Sequence, residues 1–376
     1  MPDTPSSLER INLRLADDTR DVVHRAVAAL AQGKTVHFQS ERFSGFLRGL
    51  WLVESTAVAE PSEGDSAWTL LIRGDLELAD WIPGLNSYAS RLVRRAWPSP
   101  LALVFPIPDE QSLLGRLPRA SQDMLQTVDG LTVQVPDHPF VREVARLVPG
   151  PLGFREFPTV EESPISSKFA GTIESQSSPS LVIEDFQDEG VRIPRTIVRV
   201  DDDHWTMLRE GYVTPAMLNR ISGTIILFVC TGNTCRSPMA EAICKILVAR
   251  RLGCEIEALE SRGYLVLSAG IAASHGMPAA SNAVEVANAR GGSLRNHASR
   301  PITGDLIHNA DHILAMTEEH LDVLLDRSPE ASPRARLLHP RGEDVPDPVG
   351  MDLTVYKRTA DAIESYLNPW LDSIGL

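Results

Sequence analysis

The run TIILFVC, Thr224 to Cys230, is apolar from end to end and opens directly into a short glycine-containing loop followed by a helical pattern. A strand that is apolar on both sides must be covered on both faces, which is the situation of a strand inside a parallel sheet. Pro238 suits the first turn of a helix, and Met239, Ile243, Ile246 and Leu247 recur at helical spacing through MAEAICKILVARR. The alternation then continues. YLVLSAG (Tyr264 to Gly270) reads as a second strand, SNAVEVANARGG as a helix ended by glycines, DHILAMT as a third strand and ARLLH as a fourth. A closing helix is expected over 354–368, stopping at Pro369. This order predicts an α/β class with a doubly wound parallel sheet, whose ligands bind beyond the carboxyl ends of the strands. Cys230 stands at such an end.

With 376 residues the chain is longer than one core usually organises, and the new pattern starting near residue 220 sets the expected domains at 1–218 and 222–376. Before that boundary, DDTRDVVHRAVAALAQGK reads as a helix ended by Gly33. TVHFQ, TLLIR, LALVFP, LTVQV, LVIE and TIVRV read as strands separated by prolines and helical stretches, which gives an α+β half. The Ser-rich stretch SPISSKFAGTIESQSSPS is expected to be a mobile loop.

A formal net charge of -14 repels phosphate backbones over most of the surface, so DNA and RNA are not expected as partners. No apolar run reaches the roughly 18 residues a membrane helix needs. The first residues, MPDTPSSLERINLRLADD, lack the basic start and apolar stretch of a secretory signal, and a cytoplasmic location is expected.

All four cysteines, Cys230, Cys235, Cys244 and Cys254, crowd into the start of the second half. That distribution is no secreted disulfide framework, and the two close C-x2-4-C pairs that a zinc site would want are not both present, so a reactive thiol is the better reading. In VCTGNTCRSPMAE a strand leads into a glycine-containing loop that opens a helix. Such a loop turns backbone N–H groups inward and adds the positive end of the helix dipole, forming an anion cradle fit for a phosphoryl group. The same field favours a thiolate at Cys230, and Arg236 can meet two phosphoryl oxygens in a fork. Covalent phosphoryl transfer also needs a proton donor for the leaving group. Asp347, in the proline-flanked VPDPVG, supplies a carboxyl group in a rigid loop.

Cys-x-Gly-Asn-x-Cys-Arg-Ser-Pro followed far along the chain by Asp-Pro resembles the low-molecular-weight protein tyrosine phosphatase family, over about Thr224 to Leu367. The resemblance implies that Cys230 is the nucleophile and forms a phosphocysteine, that Arg236 binds the phosphoryl group, and that Asp347 protonates the leaving group and then activates water. It implies no metal or other cofactor, and phosphorylated proteins as substrates. Thr231, Gly232, Asn233, Thr234, Cys235 and Ser237 complete the implied substrate-binding loop. Within it Ser237 donates to the thiolate, Asn233 holds the loop in its strained shape, and Cys235 is the family's second cysteine, able to form a reversible disulfide with the nucleophile. Cys244 and Cys254 read as helix-core and loop residues, His297 and His312 as structural histidines.

Family members acting on phosphotyrosine carry aromatic residues after Asp-Pro, where this chain has Val349 and Gly350. CTGNTCRSPMAEA and DPVGMDLTVYKRTADAIESYL resemble the bacterial protein-arginine phosphatase branch, in which threonine at the position of Thr234 favours the polar guanidinium over a ring. In that branch an aromatic residue usually stands where this chain has Val349. Phosphoarginine is therefore the expected substrate and phosphotyrosine the alternative.

AQGKTVHFQSERFSGFLRG, AWPSPLALVF, LTVQVPDHPF and RTIVRVDDDHWTMLREG together look like a diverged Sua5/YrdC domain, over about residues 15 to 215. That fold belongs to threonylcarbamoyl-adenylate synthases, which use ATP, bicarbonate and threonine for tRNA modification. The family's Pro-Thr-x-Thr-x-Tyr-Gly stretch appears here as Gln39 to Gly45 and its Lys-x-Arg as Arg73-Gly74-Asp75, a carboxylate where a triphosphate should lie. The Ser-Ala-Asn motif is replaced near Glu156 to Pro158 and the serine of Ser-Thr-Val by Arg195, while Arg209 still matches. An inactive scaffold or nucleotide sensor is expected. The alternatives are a bifunctional protein with synthase activity and a non-catalytic nucleotide- or phosphoprotein-binding module.

Overall fold

The computed structural model describes residues 9–40, 44–53, 68–108, 111–156, 180–185 and 193–376. The Ser-rich stretch expected as a mobile loop lies, up to residue 179, outside the described residues, as do Glu41, Arg42, Phe43, Phe157 and Pro158. The chain divides into two compact units, Met1–Met217 and Leu218–Leu376.

The second unit is built on a four-stranded sheet in the order Tyr264–Gly270, Thr224–Cys230, His312–Ala315, Ala335–Leu337. Every pairing in it is parallel. The central strand shows why the run TIILFVC is apolar throughout. Ile226, Phe228 and Cys230 belong to one core with the helices Arg236–Leu252 and Leu353–Ser373, whereas Leu227 and Val229 belong to a second core with Ile302, Ile307 and Leu324. Successive side chains of a strand point to opposite faces, so both faces must be apolar where both are covered. Cys230 thus emerges on the face that the Arg236–Leu252 helix covers. That helix ends at Gly253, which adopts the left-handed conformation (φ 62°) natural to a glycine C-cap.

The closing helix runs from Leu353 to Ser373 and passes through Pro369, so the expected stop at Pro369 is wrong. Proline there removes one backbone hydrogen bond. Against that loss the helix buries Trp370 and Leu371, which extend the apolar stripe of Tyr356, Ile363 and Leu367. At about 1.5–3 kcal/mol for each large apolar side chain, this burial outweighs the missing bond. The helix starts cleanly because Asp352 accepts hydrogen bonds from the backbone N–H of Thr354 and Val355, which holds its carboxyl below the usual carboxylate range.

The first unit is a mixed α+β body. Among the described residues its sheet runs Glu9–Asn12, Leu181–Asp185, Val36–Ser40, Ser44–Gly49, Leu152–Glu156, Thr69–Leu71, Gly130–Gln134, Leu101–Phe105, Thr196–Val200, Trp205–Arg209, with Gln126–Thr127 as a side branch on Gly130–Gln134. The helices Thr19–Ala31 and Pro139–Leu147 pack Leu30 and Val141 into one core with Val36, Phe38, Leu47 and Ile183. All six strand-like runs read from the sequence are strands; Glu9–Asn12, Ser44–Gly49, Gln126–Thr127, Leu152–Glu156 and Trp205–Arg209 add to them. No helix of the described residues is long and apolar enough to cross a membrane.

Candidate active site

At the carboxyl end of the central strand, the loop 231–235 turns the chain from Cys230 into the Arg236–Leu252 helix, so the first free N–H groups of the helix face the sulfur's end of the sheet. The neighbouring strand comes unusually close. A Cβ on Gly270 would lie 2.4 Å from the Thr231 carbonyl oxygen, so only glycine fits. Two further hydrogen bonds, from the N–H of Ile271 to the Cys230 carbonyl and of Ala272 to the Thr231 carbonyl, carry the pairing into the loop. Gly232 is under no such constraint, since a Cβ there would meet only Thr234 Oγ1 at 3.7 Å.

Asn233 has φ 55°, the only positive φ of a non-glycine residue among those described. Asparagine tolerates this region better than most residues. Its fully buried side chain is held on every side. Nδ2 donates to Ser237 Oγ (3.0 Å) and Ser268 Oγ (2.9 Å), and Oδ1 accepts from the Arg300 N–H (2.9 Å). Its carbonyl accepts from His297 Nε2 (2.8 Å), which places the proton of that ring on Nε2. The network extends inward, where Ser268 Oγ donates to the buried Glu241 Oε2 (2.6 Å), itself paired with Lys245. A strained loop conformation is thereby fixed by the surrounding structure.

The consequence is the environment of Cys230, whose residue is 3% exposed. Its sulfur lies 2.9 Å from Ser237 Oγ and accepts the Asn233 N–H at 3.3 Å. Because Asn233 Nδ2 already donates to Ser237 Oγ, the serine hydroxyl has its own proton to give, and its acceptors are the sulfur at 2.9 Å and the Ala269 carbonyl at 3.4 Å. Arg236, buried on the first turn of the helix, directs one amino group to Asp347 Oδ2 (2.5 Å) and to Thr231 Oγ1 (3.4 Å), and the other to the Val345 carbonyl (3.3 Å). Asp347 reaches this point because its loop is tied down. Val345, 1% exposed, donates its N–H to the Met316 carbonyl at the end of the third strand, and Asp344 Oδ1 accepts the Glu318 N–H. Asp347 Oδ1 also accepts the Val349 N–H (3.1 Å).

Of the residues singled out in the sequence, the structure brings together Cys230, Thr231, Asn233, Arg236, Ser237 and Asp347. Thr234 is tethered by its carbonyl, which accepts the Ala280 N–H. Cys235 Sγ lies 3.2 Å from Tyr356 Oη, and both Cys230 and Cys235 are free thiols. Burial, and then the bond to Cys235, pushes the Tyr356 phenol well above its ordinary range. Cys244 is fully buried in the helix core. His312 lies away from the loop, its ring edge on Trp370. Sequence reasoning missed Ser268, Glu241, Tyr356 and His320; the serine interrupting YLVLSAG and the Thr-x-x-His opening of a helix were the available signals.

Comparison with known proteins places this geometry. The family model "Low molecular weight phosphotyrosine protein phosphatase" matches residues 225–375. The protein-arginine-phosphatase of Bacillus subtilis (strain 168) is 39% identical over 146 residues, covering 38% of this chain and 91% of that protein. The low molecular weight protein-tyrosine-phosphatase Etp of Escherichia coli (strain K12) is 36% identical over 144 residues, 37% of this chain and 82% of that protein. A solved structure of a YwlE mutant from Bacillus subtilis matches 41% of this chain and 100% of its own, at 35% identity and a TM-score of 0.36. With nearly the whole length of such relatives aligned on the strand, loop and helix that carry Cys230 and Arg236, the chain belongs to the low molecular weight phosphotyrosine protein phosphatase family.

Proposed function

We propose that residues 222–376 form a cysteine-dependent protein phosphatase that works through a phosphocysteine, with phosphoarginine as its preferred substrate and phosphotyrosine as the alternative. The observation that carries this reading is the meeting of three groups from two distant segments: the Cys230 sulfur, in hydrogen-bond contact with Ser237 Oγ and the Asn233 N–H, and the Arg236 guanidinium and Asp347 carboxyl in contact at the same loop.

In the first step an electron pair of the Cys230 thiolate forms the S–P bond while the P–N or P–O bond of the substrate breaks. Asp347, protonated, gives its proton to the departing nitrogen or oxygen. The loop N–H groups and Arg236 meet the charge that spreads over the phosphoryl oxygens. In the second step the Asp347 carboxylate takes a proton from water, the water oxygen attacks phosphorus, and the S–P electrons return to sulfur. Ser237 Oγ and the Asn233 N–H stabilise Cys230 as the leaving thiolate. The phosphoryl oxygens replace Asp347 as the partner of Arg236 when substrate binds. A thiolate nucleophile works in a reducing compartment, which favours the cytoplasm, and there a Cys230–Cys235 disulfide would protect the nucleophile reversibly.

The substrate preference rests on Thr234 and on the rim after Asp-Pro, where Val349 and Met351 are 62% and 57% exposed and offer no ring to clamp a phenyl group. Relatives named protein-arginine-phosphatase in Bacillus subtilis and Geobacillus stearothermophilus support it. The test compares phosphoarginine with phosphotyrosine peptides in wild type and in Thr234→Ile. The substitution is expected to shift the ratio of kcat/KM toward phosphotyrosine, and an unchanged ratio removes Thr234 from the specificity.

Residues 1–218 we read as a diverged Sua5/YrdC-like domain without synthase activity. Glu156 and Arg195, which stand near where that family's catalytic motifs belong, pair with one another. Arg195, 3% exposed, donates to Glu156 Oε2 (2.9 Å), Gln134 Oε1 (2.7 Å) and Thr69 Oγ1 (2.9 Å), and Arg209 also donates to Glu156. Guanidiniums satisfied within the protein leave little for a triphosphate. ATP consumption dependent on threonine and bicarbonate would establish a bifunctional protein instead.

A further inference from the structure

His320 is buried, at 2% exposure, and both of its ring nitrogens are engaged. Nδ1 lies 2.7 Å from Thr317 Oγ1, and Nε2 lies 2.8 Å from Thr231 Oγ1. Thr317 is the N-cap of the helix Glu318–Arg327 and also accepts the His320 N–H. The imidazole therefore bridges the capped first turn of a helix and the first residue after Cys230, across 89 positions of sequence. Thr231 Oγ1 is in turn the acceptor for the Arg236 amino group that pairs with Asp347. When phosphoryl oxygens displace Asp347, Thr231 Oγ1 is the protein acceptor left on that amino group.

We infer that His320 is a positioning residue for phosphoryl binding: by pinning the Thr231 hydroxyl it fixes the plane of the Arg236 guanidinium. This deepens the phosphatase reading and rests on it for the catalytic consequence, although anion binding alone also reports it. An unpinned threonine would turn among its χ1 rotamers, and an arginine side chain loses a guide that a bidentate anion contact requires. Burial, with the Arg236 cation adding to it, holds His320 below the usual imidazole value, against the opposing pull of Glu319, Asp344 and Asp347. The neutral ring has one donor and one acceptor nitrogen, which two threonine hydroxyls match.

The test is a double-mutant cycle on the full chain, read by the affinity for inorganic phosphate in titration calorimetry and by kcat/KM for p-nitrophenyl phosphate. His320→Ala and Thr231→Val are each expected to weaken phosphate binding and kcat/KM about 10-fold, equivalent to ~1.4 kcal/mol. The double variant should be no worse than either alone. His320→Gln, whose amide nitrogen reaches the place of Nε2, should recover most of the loss, and Thr231→Ser, which keeps the hydroxyl, should recover most of what Thr231→Val loses. Multiplication of the two losses to about 100-fold would overturn the inference, as would a Thr231→Val protein that binds phosphate normally. The latter result stands even if His320→Ala does not fold. Failure of the phosphatase reading looks different: phosphate affinity would follow the cycle while the wild type turned over no p-nitrophenyl phosphate.

Discussion

Arg236 and Asp347, 111 positions apart, meet at 2.5 Å, so the carboxyl group proposed as the general acid occupies the guanidinium proposed to hold the phosphoryl group. Two consequences of one substitution separate here. Asp347→Asn removes the proton donor, and kcat should fall about 100- to 10,000-fold. It also removes an anion that competes for Arg236, so inorganic phosphate should bind more tightly than to wild type. Calorimetry with phosphate and steady-state kinetics check both directions, and equal weakening of binding and turnover would contradict the pairing's role.

The sheet of the second unit was readable because each strand is an apolar run bounded by turn chemistry, and Cys230, Arg236 and Asp347 were readable because short motifs carry them. Other parts were hidden for identifiable reasons. Ser44–Gly49 contains Gly45, a poor strand residue, yet a Cβ there would lie 2.2 Å from the Arg155 carbonyl oxygen, so cross-strand crowding selects it. Its partner Leu152–Glu156 ends in a carboxylate that the pairing with Arg195 and Arg209 makes tolerable in the interior. The closing helix outran Pro369 because tertiary burial of Trp370 and Leu371 overrides a local breaker. For His320 the Thr-x-x-His opening marks only a helix start, and its contact with Thr231, distant in sequence, leaves no local pattern that ties it to the site.

Asn233 combines a left-handed backbone with hydrogen bonds from both ends of its amide. Asn233→Ala loses these bonds and keeps the strained φ, and should destabilise the protein by about 2–4 kcal/mol. Asn233→Gly relieves the strain but not the lost bonds, and should cost less in stability while still lowering activity. Urea denaturation followed on the second unit's tryptophan, Trp370, gives the order. A glycine variant less stable than the alanine variant would rule out backbone strain.

The cysteines should differ sharply toward iodoacetamide. Burial pushes the Cys244 thiol far above its ordinary range, with Glu241 adding to the shift, so it should stay unlabelled in the native protein. Cys230 should label, and inorganic phosphate should protect it by occupying the same loop. Partly exposed Cys254 should label regardless of phosphate. Peptide mapping by mass spectrometry distinguishes the three, and phosphate protection at Cys254 rather than Cys230 would place the anion elsewhere.

His320 gives a pH signature in stability. Its proton affinity is lowered in the fold by burial and by Arg236, against Glu319, Asp344 and Asp347. The unfolded chain therefore takes up the proton first as pH falls below about 6.5, which penalises the fold there and leaves neutral and alkaline pH unaffected. His320→Gln lacks this penalty. Between about pH 7.5 and about pH 5.5 wild type should lose more stability than the variant, as measured by urea midpoints. A larger loss in the variant would mean that protonated His320 is favoured by its surroundings.

The central claim is that Cys230 accepts the phosphoryl group. Wild-type protein mixed with p-nitrophenyl phosphate, quenched in acid and mapped by mass spectrometry should carry one PO3 group on Cys230, and Cys230→Ser should show no steady turnover. A phosphoryl group on any other side chain, or undiminished hydrolysis by Cys230→Ser, would contradict the account.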